Sequence, residues 1–219
     1  MDMYEYKNCT VGRNSEITTS CNEVIFPNHR SRYGNIDKIP NIRKSLSNTK
    51  IAESTISGCN FYAGIKYDYY GHFLLESLSR LSHFDDNKYD AILWFSKNDE
   101  FSDWQKEILN ILGLGEAKHI VIQKKTFIEN LHLWERGYIA WDLFENYHSE
   151  FLGKVNGIFE PFKNKKCWLS RLGNNAPEEF LIEHFLKLDG WMVINPTDHS
   201  VLEQVKLFNS AQTISGISG

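Results

Sequence analysis

The sequence predicts an α/β protein built as two successive strand and helix units, and three observations carry that prediction. Short apolar runs of strand length, Tyr89–Phe95 and His119–Ile122, flank an amphipathic stretch of helix length, Trp104–Leu112. Strand, helix and strand joined by short links are the pattern of parallel α/β layering. After a basic, loop-like stretch at Pro161–Lys166 the alternation starts afresh and runs to the end of the 219 residues. This divides the chain into 1–160 and 161–219.

Composition narrows the partners. A hydrophobic share of 42%, with 14% aromatics, belongs to a folded chain with a real core. The 24 basic and 28 acidic residues, net charge -4, provide no positive field for nucleic acid, and membrane contact is expected to be peripheral at most. No run approaches the roughly 18 apolar residues of a membrane span. Met1–Lys7 lacks the basic then apolar pattern of a secretion signal, so the expected location is cytoplasmic. Cys9, Cys21, Cys59 and Cys167 are scattered without a C-x-x-C pair or finger spacing, which predicts reduced thiols and no metal centre. Cys9 with Cys21 is the one pair close enough in sequence to bridge or share a metal.

In chain order, residues 1–60 are broken by Gly12, Asn14, Pro27, Gly34, Pro40 and Gly58, so only Glu23–Phe26 reads as a strand there and the rest as irregular. Asn60–Ile65 is a strand, Tyr67–Tyr70 an aromatic loop, and a helix follows through Leu81. At helical spacing Leu74, Leu75, Leu78 and Leu81 form an apolar stripe, with His72, Glu76, Ser79, Arg80 and His83 on a polar face. His72 and Glu76 lie one turn apart, so imidazole and carboxylate can meet. The positive helix start favours a neutral imidazole able to take a proton, which suits a general base. The competing reading is an ordinary surface helix with a Glu76–Arg80 pair worth a few tenths of a kcal/mol.

Further on, Ser102 is a plausible cap and Gly113 the stop of the helix between the two apolar runs. Leu131–Trp141 adds a strand, and Leu143–Phe159 a helical or irregular connector. In the second unit Cys167–Ser170 is a strand, and Pro177, Glu178 and Glu179 open a helix that runs to Leu188 and stops at Gly190. Trp191–Ile194 is the next strand, and Ser200 with Glu203 forms a capping box opening a helix through Ala211. Thr213–Ile214 then leads into a glycine-rich turn, Ser215–Gly219. Such a turn normally feeds a helix whose N–H groups bind an anion. None follows, so the second unit is expected to be about half of a Rossmann-like domain, as in a truncated protein. No G-x-G-x-x-G or P-loop follows a strand, which disfavours an unrelated nucleotide-binding module.

The order of motifs resembles glycosyltransferase family 61. The residues that carry the likeness are Tyr70-Gly71-His72-Phe73-Leu74-Leu75-Glu76 with Leu78-Ser79-Arg80-Leu81; Trp168-Leu169-Ser170-Arg171; Ser200 with Glu203-Gln204-Val205 and Leu207-Phe208; and Ala211 with Ile214-Ser215-Gly216. The likeness covers about residues 60–219. It implies a GT-B fold, here a Rossmann-like N-terminal domain on the acceptor side plus an incomplete second Rossmann-like domain on the donor side. It also implies inverting transfer from a nucleotide-diphosphate donor, usually a UDP-sugar, to a saccharide or glycolipid hydroxyl in surface polysaccharide or lipopolysaccharide assembly, without a bound metal or other cofactor. The alternative is a non-catalytic remnant that binds or assembles. Two departures stand out: Leu172-Gly173-Asn174-Asn175 follows Ser170-Arg171 where family members carry a second basic residue, and the chain ends where they continue past the Ser-Gly turn.

Inverting transfer needs a base for the acceptor hydroxyl and donors for the departing diphosphate. His72 is the candidate base or acceptor ligand, Glu76 its orienting carboxylate and Asp68 the reserve. Arg171 offers its fork to phosphate oxygens and Ser170 a hydroxyl; the competing reading pairs Arg171 with Glu178 or Glu179 at the surface. Glu203 is a candidate ribose ligand, although the capping box alone accounts for it. Ser215, Gly216 and Ser218 are candidates to cradle the diphosphate. The other histidines, His29, His83, His119, His132, His148, His184 and His199, show no convergent spacing, and the six tryptophans read as core before sugar platforms.

Overall fold

Strands and helices alternate as the apolar pattern requires, in an α/β chain for which the computed structural model describes residues 2–12, 15–21, 23–26, 41–44, 52–139, 143–155, 165–171 and 179–217. Contacts group them into two units, Met1–Ser102 with Glu116–Leu152, and Asp103–Gly115 with Gly153–Gly219. A boundary at 160/161 falls in 156–164, outside the described residues.

The first unit begins with β1 (Met3–Val11), β2 (Ile17–Thr18), β3 (Glu23–Phe26), β4 (Asn41–Lys44) and β5 (Ser54–Ile65). Helix α1 (Tyr70–Leu75), a tight 3-10 stretch Ser77–His83 and β6 (Ala91–Phe95) follow. Helix α2 (Asp103–Ile111) comes next in sequence and groups with the second unit; β7 (His119–Ile122), β8 (Thr126–Trp134), a hairpin of β9 (Tyr138–Ile139) and β10 (Leu143–Phe144), and α3 (Asn146–Leu152) return to the first. Eight strands form one sheet in the order β4-β3-β2-β1-β8-β5-β6-β7. β1 to β4 pair antiparallel and β1 pairs antiparallel with β8, whereas β8, β5, β6 and β7 run parallel. The parallel part places β5 first, β6 and β7 to one side and β8 to the other, the strand order of a mononucleotide-binding half. One feature departs from it: Gln123–Lys125 alone join β7 to β8, without a crossover helix. The strand order reverses between β5 and β8, where α/β folds open a crevice at the strand C-termini.

The expectation of an irregular N-terminus is overturned by β1, β2, β4 and the first half of β5. In β1 the inward side switches in mid-strand: Tyr4 and Tyr6 are half-buried, then Cys9 and Val11 are fully buried. The switch falls at Asn8, whose φ of 50° puts it in the left-handed region that asparagine tolerates. A period-2 pattern interrupted this way gives no clean alternation to read. Cys9 and Val11 join Ile17, Ile25, Tyr62, Leu93, Ile128 and Leu131 in the sheet's core cluster, each such aliphatic burial contributing about 1.5–3 kcal/mol before entropic costs.

The predicted helix over 70–81 is also corrected. It is α-helical only to Leu75, and Ser79 and Arg80, assigned to a polar face, are buried together with Ser77. Their polar atoms meet backbone rather than water. Ser77 Oγ accepts from Tyr67 N at 2.9 Å, Ser79 Oγ donates to Glu76 O at 2.7 Å, and Arg80 donates to Trp134 O at 2.7 Å and Ala63 O at 3.2 Å. His83, expected to extend that polar face, stacks on Trp134 at 4.6 Å and lies 4.8 Å from Tyr147. Phe73 anchors α1 by stacking on the buried Trp94 of β6 at 6.2 Å.

The second unit holds α2, a short 3-10 turn Gly153–Val155, β11 (Lys165–Leu169), α4 (Glu179–Leu188), β12 (Met192–Ile194), α5 (Val201–Ser210) and β13 (Ala211–Gly216). Its sheet is parallel in the order β12-β11-β13, so the first strand sits in the middle and its C-terminal end is a switch point. β11 starts at Lys165, inside the stretch expected as a link. β13 continues to Gly216, so Ser215 and Gly216 are ladder residues paired with Trp168 and Leu169 rather than a turn. Helix α4 is inverted: Glu179 and Glu183 are buried while Phe180, Leu181, Phe185 and Leu188 are exposed. Glu107 of α2 caps α5, its two carboxylate oxygens accepting from Val201 N at 2.9 Å and Leu202 N at 3.0 Å. No helix among the described residues is long and apolar enough to cross a membrane. All four cysteines are free.

Both predicted helix stops are Schellman caps. Leu114 N donates to Leu109 O and Gly113 N to Asn110 O, and Trp191 N donates to Leu186 O and Gly190 N to Lys187 O, with φ of 78° at each glycine. A Cβ at either position meets nothing within 4 Å, so the cost of a side chain is conformational alone. Gly113→Ala and Gly190→Ala are each expected to lower unfolding stability by about 1 kcal/mol in urea titrations, with unchanged far-UV circular dichroism.

Candidate active site

The parallel strands of the first unit end in two loops that share one ionic network. Lys66, the residue after β5, has a fully buried side chain. Its Nζ donates to Asp68 Oδ1 at 3.0 Å and to Glu100 O at 3.0 Å, and lies 5.3 Å from the Phe101 ring. Asp68 Oδ2 accepts from Asn98 Nδ2 at 2.5 Å. The loop after β5 is thereby clamped to the loop after β6, and the Tyr67 N bond to Ser77 adds a third fixed point.

On this platform His72 Nδ1 meets Glu76 Oε1 at 2.5 Å, with the imidazole 53% exposed and the carboxylate side chain 9% exposed. Tyr67 and Tyr69 flank the ring at 5.4 and 6.3 Å. A carboxylate on Nδ1 holds the proton there and leaves the Nε2 lone pair for an incoming hydroxyl, the base and orienter relation of hydrolytic triads. The structure thus brings together His72 and Glu76. It places Asp68 nearby with both oxygens engaged.

In the second unit Ser170 and Arg171 follow β11 and meet Ser215 and Gly216 of β13 around a pocket of about 510 Å³, completed by Leu169, Pro196, Ile214 and Ile217. Four sequence-identified residues therefore line one pocket at the switch point. β13 presses close there: a Cβ on Gly216 would lie 3.2 Å from Leu169 O. The wall is set by Glu179, fully buried, which accepts from Arg171 N at 3.1 Å and from Trp168 Nε1 at 3.0 Å. Glu179 thus binds the backbone of Arg171 from the interior, not as the surface partner considered from sequence. Glu203 is outside the lining: it closes the capping box, accepting from Ser200 N at 2.8 Å, and those bonds lower its pKa. Ser218 lies outside the described residues, as do Leu172–Glu178.

Sequence reasoning missed Lys66, Asn98 and Glu107 and misplaced Glu179. A lysine directly after an apolar strand, with Asp two residues on, is the one local signal that existed for Lys66. Asn98 and Glu107 act on residues 30 and 94 positions away, which no local pattern reports. Among the described residues no cluster of three His, Cys, Asp or Glu is arranged to hold a metal ion.

Comparison with known proteins gives one positive finding. The family profile described as Glycosyltransferase 61 matches residues 70–219, from the start of α1 through the β13 pocket. No curated protein and no solved structure matches the chain.

Under α1 lies His148 of α3, fully buried, with neither ring nitrogen hydrogen-bonded among the described residues. The backbone of Leu74 and Leu75 approaches the ring and offsets part of the shift, but burial pushes its pKa down to about 4. In the unfolded chain a histidine takes up its proton near pH 6.5. Between about pH 6.5 and 4 the unfolded state therefore binds more protons, and stability present above that window is lost as pH falls through it. His148→Phe, which cannot titrate, is expected to reduce the stability loss between pH 7 and pH 5 by about 2 kcal/mol relative to the unmodified chain, read from urea midpoints.

Proposed function

The chain belongs to glycosyltransferase family 61, and from that premise we propose that it transfers a sugar from a nucleotide-diphosphate donor to a saccharide hydroxyl with inversion. The observation that supports this most is the convergence of Ser170, Arg171, Ser215 and Gly216 on one pocket at the C-terminal ends of β11 and β13. In the proposed reaction the acceptor oxygen bonds to the anomeric carbon as that carbon's bond to the phosphate oxygen breaks. The acceptor proton goes to His72 Nε2, and the bonding pair leaves with the nucleoside diphosphate. The Arg171 guanidinium, with the Ser170 and Ser215 hydroxyls, neutralises and hydrogen-bonds the departing oxygens. Glu76 stabilises the imidazolium that forms.

A UDP-sugar as donor, a saccharide or glycolipid as acceptor, the GT-B arrangement, independence of a metal, a cytoplasmic location and a place in surface polysaccharide or lipopolysaccharide assembly belong to the same proposal. Family membership supports these points.

Two measurements check the proposal. UDP at about 100 times its dissociation constant is expected to raise the melting temperature by about 5 °C or more, with smaller shifts for GDP and CDP. Arg171→Ala should abolish the UDP shift while affecting uridine less; equal losses would remove the phosphate assignment. His72→Ala is expected to lower kcat by a factor of about 10² to 10⁴, leave UDP binding unchanged and alter stability by less than about 1 kcal/mol.

A further inference from the structure

We propose that Tyr69 is the stacking platform for the acceptor and that the sugar it receives is an uncharged pyranose; this rests on the transferase reading above and adds the acceptor subsite to it. Tyr69 is 76% exposed, on a loop whose backbone is held by hydrogen bonds on either side. Its carbonyl accepts from Phe73 N at 2.8 Å, the preceding Asp68 is held by Lys66 and Asn98, and Tyr67 N is bonded to Ser77 Oγ. A large ring displayed on a fixed loop is ready to bind without paying for loop ordering. It stands edge-on to His72 with centroids 6.3 Å apart, and Tyr70 beside it is 42% exposed.

The position selects the ligand. An acceptor hydroxyl must come within about 3 Å of His72 Nε2, so the sugar ring bearing it reaches the neighbouring Tyr69 face in van der Waals contact. A pyranose presents one apolar C–H face and a polar rim, matching an aromatic face next to a proton acceptor. A lipid chain would instead cover His72 Nε2 and the half-exposed Asp68 with surface that offers no hydrogen bond in place of water. Two carboxylates lie close to His72 in sequence: Asp68, bonded to the buried Lys66, and Glu76, bonded to His72 itself. That balance disfavours an acidic sugar and the phosphates of a nucleotide. Among the described tryptophans of the same unit, Trp94 is fully buried and Trp134 is covered by His83, so neither competes for the role.

The test uses the full chain and three forms, unmodified, Tyr69→Ala and Tyr69→Phe. p-Nitrophenyl glycosides of glucose, galactose, mannose and N-acetylglucosamine serve as neutral probes and the glucuronide as the acidic one, with UDP-glucose, UDP-galactose and UDP-N-acetylglucosamine as donors. Tyr69→Ala is expected to raise the acceptor KM by about tenfold or more with kcat little changed, and Tyr69→Phe to remain within about twofold. Donor hydrolysis, which needs no saccharide acceptor, is measured in each form as its own reference rate. An unchanged KM in Tyr69→Ala, or a glucuronide used as well as the neutral glycosides, overturns the proposal. Saturation-transfer NMR on the same glycosides reads the contact without turnover. Signal lost in Tyr69→Ala and kept in Tyr69→Phe supports the platform even where no donor is turned over, an outcome that would sink the transferase reading alone. Equal signal in both variants, or no signal from any neutral glycoside in the unmodified chain, overturns the platform itself.

Discussion

The first unit depends on one buried guanidinium. Arg80 lies between the C-terminal ends of β5 and β8 and donates to a carbonyl oxygen of each, at Ala63 and Trp134. Burial pushes its pKa down to about 9, so it enters the interior charged and is tolerated because backbone acceptors replace its water. To reach them the chain after α1 must turn inward. The helix ends at Leu75, the next turns tighten to 3-10 geometry, and Ser77 and Ser79 are drawn in with their hydroxyls bonded to backbone. Gly137 N then bonds to Ser79 O, at a position where a Cβ would lie 2.5 Å from His148 Cβ. His72 and Glu76, just before the inward turn, are left at the rim with fixed backbones.

The second unit uses the same device with the opposite charge. Glu179 binds the N–H of Arg171 at the end of β11, and Glu107 binds the first N–H groups of α5. Carboxylates suit these places because strand exits and helix starts expose N–H groups, as carbonyls suit a guanidinium. Both units thus commit charged side chains to backbone groups, at strand ends and, for Glu107, at a helix start. Exposed salt bridges such as Lys106–Asp103 would add little by comparison.

This pattern explains what was legible in the sequence. Features encoded locally were readable: the strands Ala91–Phe95 and His119–Ile122, the glycine stops at 113 and 190, and the Ser200–Glu203 capping box. What failed was the rule that polar residues face water. It put Arg80 on a surface face, and it gives no sign that α4 turns Glu179 and Glu183 inward and its phenylalanines outward. β1 was hidden by the change of inward face at Asn8. At the site, strand-end logic located Ser170 and Arg171, and helical spacing located His72 with Glu76. Lys66, Asn98 and Glu107 depend on tertiary contacts that no window of sequence contains.

The same contacts separate the two candidate bases. From sequence His72 and Asp68 were both polar residues near a helix start. In the structure Asp68 has Lys66 on one oxygen and Asn98 on the other, so protonating it would break an ion pair that clamps two loops. His72 has one nitrogen held and one left to accept, which is what proton transfer requires. The cost of that arrangement is that Lys66 and Arg80, the cations nearest in the chain, are committed to protein acceptors. Neither is available to a departing diphosphate. In the proposed reaction that charge is assigned to Arg171 of the β11 and β13 pocket, whose backbone N–H is fixed by Glu179.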